Sequence, residues 1–400
     1  MTSQPDVPLF DLPYGPEEEE AVRRVLESKW LTLGPVTEEF EAAFAAYVGS
    51  KHAVAVCNGT AALHLALAVV GTGPEDEVIV PSLTFVATAN AVLYCGAAPV
   101  FADITGEHDL TILPGEIERK ITDRTKAILV MHYGGYACDM ARIMETAERH
   151  KLFVMEDAAH APGAVCAMPQ ASCPTEARGP WSVVHGPRRC GSLGNLGCFS
   201  FFSNKNLATG EGGMVVTNDG ELAARLRTLR SHGMTTLTWQ RHQGHAFSYD
   251  VTQLGYNYRP SEITSALGLA QLRKLEGFNA SRRRLTRVYH QRLAEVPVVT
   301  LPFVGREAES ACHILPVLLP ESADRAKVMA GLREDGIQTS IHYPPIHQFS
   351  FYRESVLTAL VSLPVTEAVA ARELTLPLFP TMTEEQVERV VERLRARLVG

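Results

Sequence analysis

The chain contains no apolar run long enough to span a bilayer, and its first six residues include neither a basic segment nor an apolar one. The first absence argues against an integral membrane protein, and the second argues against a secreted one. We therefore expect a cytoplasmic protein with no membrane partner. Basic charge is also scarce, because 37 Lys and Arg residues are set against 45 Asp and Glu residues, for a net charge of -8. We expect no nucleic-acid partner for a chain of this charge.

Cysteine pairs at metal-binding or redox spacing are absent as well. The chain has 8 cysteines, no two of which form a C-x-x-C pair, and several lie in apolar runs. This pattern indicates free buried thiols. Cys173, His185 and Cys190 could be considered as metal ligands, but their spacing is irregular and no fourth ligand is evident. We expect no bound metal.

Short apolar runs and amphipathic segments alternate through the first part of the chain. Strands are predicted at 52–57, 77–81, 99–104, 127–133 and 152–156, with helices at 60–70, 84–93 and 139–150. Such alternation predicts an α/β fold with a mainly parallel sheet and helices on both faces. In sheets of this kind, ligands bind at the carboxyl ends of the strands.

The pattern changes twice further along the chain. Residues 166–190 are rich in Pro, Gly and Arg without periodicity, which predicts a long insertion loop. From about residue 286 the order becomes helix, strand, helix and strand, and a capping box at 383–386 precedes the last helix. We therefore predict a large domain over 1–285, including N-terminal helices, and a smaller α/β domain over 286–400.

Lys205 follows the apolar run Ser200-Phe201-Phe202 and precedes the glycine-rich turn Gly210-Glu211-Gly212-Gly213. A lysine between two buried strands must have its charge shifted, paired or used in a covalent bond. Covalent use means a Schiff base, and pyridoxal phosphate is the cofactor whose carbonyl group suits an amine nucleophile. A lysine that only caps a turn would give the same local pattern, so the other motifs must decide.

Three further motifs follow predicted strands. The turn Asn58-Gly59-Thr60 offers backbone N–H groups and a hydroxyl to a phosphate. Asp157 ends a buried run and needs a cationic partner, such as a protonated pyridine nitrogen. Phe85 can stack on a ring bound at the strand ends. Taken singly, these residues also fit a capped turn, a helix-capping carboxylate and a core phenylalanine.

Together, these segments resemble the motif set of the DegT/StrS nucleotide-sugar aminotransferases over nearly the whole chain. The matching segments are Asn58-Gly59-Thr60-Ala61-Ala62-Leu63, Pro81-Ser82-Leu83-Thr84-Phe85-Val86-Ala87-Thr88-Ala89-Asn90, Glu156-Asp157-Ala158-Ala159-His160, Gly197-Cys198-Phe199-Ser200-Phe201-Phe202, Lys205 with Thr209-Gly210-Glu211-Gly212-Gly213, and Gly255-Tyr256-Asn257-Tyr258-Arg259. The resemblance implies fold type I of the pyridoxal phosphate enzymes, with a mainly parallel seven-stranded sheet. It also implies a homodimer whose active sites lie at the subunit interface.

The resemblance further implies a role for each matching residue. Lys205 would form the Schiff base, Asp157 would pair with the pyridine nitrogen, His160 would lie near the phenolic oxygen, and Phe85 would stack on the ring. The cofactor phosphate would be held by Thr60, Ala61, Ser200 and Asn257 of the partner subunit. Arg259 and His342 are weaker candidates for substrate contacts. The family's dehydratase branch has a histidine at the position of Lys205, so the lysine indicates transamination.

The expected function is therefore transfer of an amino group from an amino acid, L-glutamate in our expectation, to the keto group of a nucleotide-linked deoxysugar. Two alternatives remain at this point: a transaminase of a keto-cyclitol or aminobenzoate-type precursor, and a pyridoxal phosphate-binding regulator without turnover. The stretch 166–190 is longer than the hairpin usual in the family. We expect it to form a flap near the cofactor or the dimer contact.

Overall fold

The computed structural model describes residues 5–166, 188–235, 248–354 and 361–399. It begins with two helices, α1 (Pro16–Ser28) and α2 (Pro35–Val48). Three glutamates occupy the first turn of α1, where the positive end of the helix dipole stabilises carboxylates. Helix α2 ends at Gly49, whose φ of 79° lies in the left-handed region that glycine adopts without strain.

A seven-stranded sheet follows, with helices between its strands. Its elements are β1 (His52–Val56), α3 (Gly59–Val69), β2 (Glu77–Pro81), α4 (Ala87–Tyr94), β3 (Ala98–Ala102), β6 (Thr125–Met131), α6 (Met140–His150), β7 (Phe153–Asp157), β10 (Leu196–Ser200), β11 (Gly213–Thr217) and α7 (Gly220–Arg230). Three short elements, β4 (Ile104–Gly106), β5 (Asp109–Ile112) and α5 (Pro114–Arg119), lie between β3 and β6.

The strand order in this sheet is β1-β11-β10-β7-β6-β2-β3. Neighbouring strands from β10 to β3 are parallel, whereas β11 is antiparallel to both β1 and β10. Alternate residues of a strand point to opposite faces, and in β1 Ala53 and Ala55 pack in one apolar cluster while Val54 and Val56 pack in another. The prediction of a mainly parallel seven-stranded sheet is confirmed.

Three predicted elements differ from the structure by two residues or more, and one of them is β6, which covers Thr125–Met131 rather than 127–133. Helix α4 begins at Ala87 rather than at Thr84, which leaves Phe85 outside the helix. The apolar run predicted as one strand over 99–104 is divided at Asp103, because this carboxylate accepts hydrogen bonds from the backbone N–H groups of Ile104 and Thr366 at 2.9 and 2.7 Å. Bonds to a distant segment therefore end β3 before the apolar pattern ends.

The ends of the predicted insertion loop pair with each other. Val165–Cys166 forms β8 and Arg188–Arg189 forms β9, and the two strands are antiparallel. Residues 167–187, which include Cys173 and His185, lie outside the described residues. Cys190 is buried as a free thiol. Among the described residues, no group of His, Cys, Asp and Glu side chains is arranged to hold a metal ion, and no helix has the length and apolar character needed to cross a membrane.

The C-terminal third is built around a long helix, α8 (Glu262–Leu293). The elements after it are β12 (Leu315–Leu318), α9 (Arg325–Glu334), α10 (Ser350–Glu354), α11 (Pro364–Arg372), β13 (Glu373–Leu376) and α12 (Glu384–Val399), and β12 pairs with β13 antiparallel. The predicted capping box is present, since the Thr383 N–H donates to Gln386 Oε1 at 2.9 Å and the Gln386 N–H donates to Thr383 Oγ1 at 3.2 Å.

Helix α8 packs against α1 and α2 and also against α12. It therefore connects the N-terminal helices to the last helix of the chain. The division into domains over 1–285 and 286–400 stays a prediction, and its boundary falls within α8.

Candidate active site

A cavity of about 420 Å³ lies at the carboxyl ends of β1, β7 and β10, the edge at which a ligand was expected. Seven of the ten predicted site residues line it: Thr60, Phe85, Asp157, His160, Ser200, Lys205 and His342. The structure thus brings together residues that are up to 282 positions apart in the chain, from Thr60 to His342.

The other three predicted residues do not line this cavity. The Ala61 N–H donates to Asn58 Oδ1 at 2.8 Å, and the Ala61 side chain is buried. Asn257 is exposed and forms a backbone bridge with Ser231. Arg259 is half-buried, and loss of solvent lowers its pKa. The roles inferred for these three residues stay predictions.

The start of α3 is in close contact with the end of β10. A Cβ atom on Gly59 would lie 2.7 Å from Ser200 Cβ, so a larger residue does not fit without a shift of the turn. Asn58 caps the helix by accepting from Ala61, and the preceding amides of Gly59 and Thr60 have no acceptor within the helix. These amides and the Ser200 hydroxyl lie at one side of the cavity and together form a site suited to an anion.

Asp157 is the last residue of β7 and is only 4% exposed. Its Oδ2 accepts a hydrogen bond from Thr88 Oγ1 at 2.9 Å, and its Oδ1 accepts one from the Ala159 N–H at 3.1 Å. Burial raises the pKa of this carboxyl, while the two hydrogen bonds and the charge of Lys205 oppose the rise. Since neither hydrogen-bond donor is a cation, the carboxylate can still accept a bond from a cationic group.

Lys205 lies in the turn that follows β10, and its backbone N–H donates to the Phe202 carbonyl at 2.8 Å. Burial lowers the pKa of the side-chain amine from 10.5 to about 8, although the negative charge of Asp157 raises it. A substantial fraction of this amine is therefore unprotonated near pH 8. An unprotonated amine is both a nucleophile and a base.

His160 is buried beside Lys205 and is held by two hydrogen bonds. Its Nδ1 accepts from the Gly134 N–H at 3.3 Å, and its Nε2 lies 2.8 Å from Tyr343 Oη. Burial keeps the pKa of the imidazole well below its usual value, so the ring is neutral. Because Nδ1 accepts, the single proton is on Nε2 and is donated to the tyrosine oxygen.

An aromatic pair lies at the mouth of the cavity. Phe85 is 54% exposed, and its ring centroid lies 5.9 Å from that of Tyr343 with an angle of 55° between the rings. Since α4 begins only at Ala87, Phe85 is free of the helix and lies at the cavity rather than in the core.

Sequence reasoning missed three residues of the site: Thr88, Tyr343 and His313. Thr88 lies within a matching segment, but its contact with Asp157 joins residues 69 positions apart and gave no local signal. Tyr343 follows the predicted His342. His313 gave no local signal, since its place near Lys205 depends on the packing of segments 108 residues apart.

Comparison with known proteins extends these observations. The sequence pattern of the DegT/DnrJ/EryC1/StrS aminotransferase family matches residues 14–395. The spore coat polysaccharide biosynthesis protein SpsC of Bacillus subtilis (strain 168) is 39% identical over 397 residues, which cover 98% of this chain and 97% of SpsC.

Two solved structures are similar over most of the chain. Helicobacter pylori PseC, an aminotransferase involved in the biosynthesis of pseudoaminic acid, has a TM-score of 0.85 at 28% identity and covers 98% of this chain and 99% of its own. DesI, solved in the presence of its TDP-sugar product, has a TM-score of 0.81 at 32% identity and covers 95% of this chain and 89% of its own.

Proposed function

Because the chain belongs to the DegT/DnrJ/EryC1/StrS aminotransferase family and is a pyridoxal phosphate-dependent enzyme of fold type I, we propose that it transfers an amino group from L-glutamate to the keto group of a nucleotide-linked deoxysugar. The observation that carries the proposal is the presence of the Lys205 amine and the Asp157 carboxylate in one cavity. The TDP-sugar product of DesI and the biosynthetic role of PseC support a sugar acceptor.

The residues of the cavity fit pyridoxal phosphate. Asp157 keeps acceptor capacity for a protonated pyridine nitrogen, because its present partners are a hydroxyl and an amide. Gly59 allows the start of α3 to approach Ser200 closely, so that the free amides of the helix start and the Ser200 hydroxyl lie together at one side of the cavity, as a phosphate requires. When bound, the cofactor supplies a carbonyl group for an amine and a ring that takes up electrons.

The side chains then have distinct tasks. We assign covalent attachment of the cofactor and proton transfer to Lys205, whose pKa of about 8 suits a base at neutral pH. In the first half of the reaction, Nζ takes up the proton from Cα of the amino-acid donor. In the second half, Nζ gives a proton to the sugar carbon that receives the amino group. Both ring nitrogens of the neutral His160 have partners within the protein, and its place near the phenolic oxygen of the cofactor stays a prediction.

The proposal includes a homodimer in the cytoplasm, with Asn257 of the partner subunit at the cofactor phosphate. Two observations support this dimer. Asn257 is exposed in this protomer, and apolar side chains near it in the sequence are exposed to solvent as well. Leu254 is 86% exposed, and Tyr249 and Val251 are more than half exposed. Apolar exposure of this kind is typical of a surface that another chain covers.

Subunit mixing tests this arrangement. Neither Lys205→Ala nor Asn257→Asp dimers should be active, but mixing equal amounts should restore roughly a quarter of the wild-type activity. Half of the dimers are then hybrids, and each hybrid has one intact site out of two. If the mixture shows no recovery although hybrids form, the shared site is refuted.

Half-reactions test the chemistry itself. Addition of L-glutamate to the purified holoenzyme should change its visible absorbance and release one equivalent of the 2-oxo acid. A panel of nucleotide-linked keto-sugars and keto-inositols should then restore the spectrum only with the sugars.

Lys205→Ala should abolish both changes, whereas Lys51→Ala, which alters an exposed lysine, should leave them intact. Full turnover by Lys205→Ala would refute the assignment. No response to L-glutamate would favour a regulator, and a response only to keto-inositols would favour a cyclitol transaminase.

A further inference from the structure

His313 lies next to the reacting amine and has no role in the proposed function so far. Its Nε2 is 3.5 Å from Lys205 Nζ. We propose that His313 is a further catalytic residue, which accepts a hydrogen bond from Lys205 Nζ as a neutral imidazole with its proton on Nδ1. In this way it holds the amine in place for proton transfer. The inference rests on the proposed function only in that Lys205 is the reacting group.

A chain of buried amides determines which nitrogen of His313 carries the proton. Asn279 Nδ2 donates to the Pro162 carbonyl at 2.9 Å, which fixes the orientation of this amide because a carbonyl only accepts. Asn279 Oδ1 then accepts from Asn206 Nδ2 at 2.8 Å, and the same nitrogen donates to the Ala311 carbonyl at 2.8 Å. Asn206 therefore presents its oxygen to His313 Nδ1, at 2.9 Å.

An amide oxygen cannot donate, so His313 Nδ1 must carry the proton. A neutral imidazole has only one such proton, so Nε2 keeps its lone pair, and its hydrogen-bond partner among the described residues is Lys205 Nζ. The sequence neighbour of the reacting lysine, Asn206, thus sets the hydrogen-bonding state of the group that touches that lysine.

The surroundings of His313 favour the neutral form. The side chain is 4% exposed, and its ring centroid lies 4.2 Å from that of His160. Burial first, then the positive charges of Lys205 and Arg282 and the nearby imidazoles of His160 and His342, keep the pKa of His313 well below its usual value. The ring therefore stays an acceptor throughout the pH range in which Lys205 titrates.

An acceptor at Nε2 stabilises the protonated form of Lys205 and so limits how far burial lowers the pKa of this amine. Two substitutions separate this effect from simple packing. His313→Leu removes the acceptor, whereas His313→Gln can keep one, because its amide oxygen can reach the position of Nε2.

The test measures the pKa of Lys205 itself in the full-length protein freed of cofactor. The rate at which a limiting amount of acetic anhydride labels Lys205 is followed by peptide mass spectrometry across the pH range. In His313→Leu the pKa should fall by about 1 unit, the size expected for loss of a hydrogen bond to a charged group. In His313→Gln most of the wild-type value should return.

An unchanged pKa in His313→Leu, or an equal fall in both variants, would overturn the inference. Neutron crystallography of the wild-type protein decides the question even if a variant fails to fold, since a proton on Nε2 of His313 contradicts the proposal and one on Nδ1 supports it. Neither measurement depends on turnover. Failure of the proposed function would instead appear as a fully active Lys205→Ala variant.

Discussion

Thr88 offers a sharp test of how the protein keeps Asp157 ionised. The threonine is fully buried, donates to Asp157 Oδ2 at 2.9 Å, and lies 2.9 Å from Thr84 Oγ1. Since its proton goes to the carboxylate, the Thr84 hydroxyl donates to Thr88. Thr88→Val keeps the shape of the side chain but removes the hydrogen bond to the carboxylate.

The size of the effect follows from this one contact. A hydrogen bond to a charged group contributes about 1.5 to 3 kcal/mol, which corresponds to a rise of roughly 1 to 2 units in the pKa of Asp157. Burial already raises that pKa, and the bond from Thr88 opposes the rise. Only the ionised carboxylate can pair with a protonated pyridine nitrogen. As the pH is lowered, the Thr88→Val variant should therefore lose its affinity for the cofactor at a higher pH than the wild type does.

The assay is a fluorescence titration of cofactor-free protein with pyridoxal phosphate at a series of pH values, from the most acidic at which both proteins stay folded upwards. At the acid end of the series we expect the affinity of Thr88→Val to be about tenfold or more below that of the wild type, as 1.4 kcal/mol corresponds to a factor of ten, and at the alkaline end the two affinities should converge. Thr88→Ser retains a hydroxyl and is the matched control, and a denaturant curve checks that each variant is folded. The reasoning is refuted if Thr88→Val binds like the wild type at every pH, or if the serine variant is equally impaired.

Three further predictions concern the stability of the fold and the tyrosine that contacts His160. Glu156→Gln should lower the free energy of unfolding by about 3 kcal/mol in a guanidinium titration. The fully buried Glu156 carboxylate accepts hydrogen bonds from three backbone amides, whereas a glutamine side chain has only one oxygen to accept them. An unchanged midpoint of the unfolding curve would contradict this. Gly197→Ala should destabilise the protein by more than about 1 kcal/mol, because the new Cβ would lie 2.0 Å from a backbone oxygen. The matched control is Gly277→Ala at an exposed position of α8, which should stabilise the protein by about 0.5 to 1 kcal/mol. Equal effects of the two substitutions on the free energy of unfolding would rule out the steric argument. Tyr343→Phe removes the oxygen that is hydrogen-bonded to His160. It should change the free energy of unfolding by about 1 kcal/mol at most but reduce kcat about tenfold or more. A variant with the wild-type kcat would exclude a catalytic role for the Tyr343 hydroxyl.

The sequence was most informative where chemistry follows directly from a strand end. Thr60, Asp157 and Lys205 each come after a short apolar run, and the carboxyl ends of parallel strands meet at one edge of a sheet. The order of the motifs along the chain was therefore enough to predict that these side chains share a cavity.

Contacts between distant segments could not be predicted in the same way. The hydrogen bond from Thr88 to Asp157 joins residues 69 positions apart, and the contact between Lys205 and His313 joins residues 108 apart. Such pairs depend on how helices and loops pack, and no local periodicity encodes that packing. The division of the 99–104 run at Asp103 has the same origin, because its partner Thr366 lies 263 residues further along.

The position of β1 at one end of the sheet has a consequence for synthesis of the protein. In the sheet, β1 pairs with β11, and their register places Val56 opposite Gly213. The segment that precedes the anion-binding turn is therefore made early but must await a partner translated 157 residues later. At about 5 to 20 residues per second, that interval is roughly 8 to 30 s. Until β11 has been made, a nascent chain lacks the strand that pairs with β1 in the finished sheet, so we expect coenzyme capture to be a late event in biogenesis.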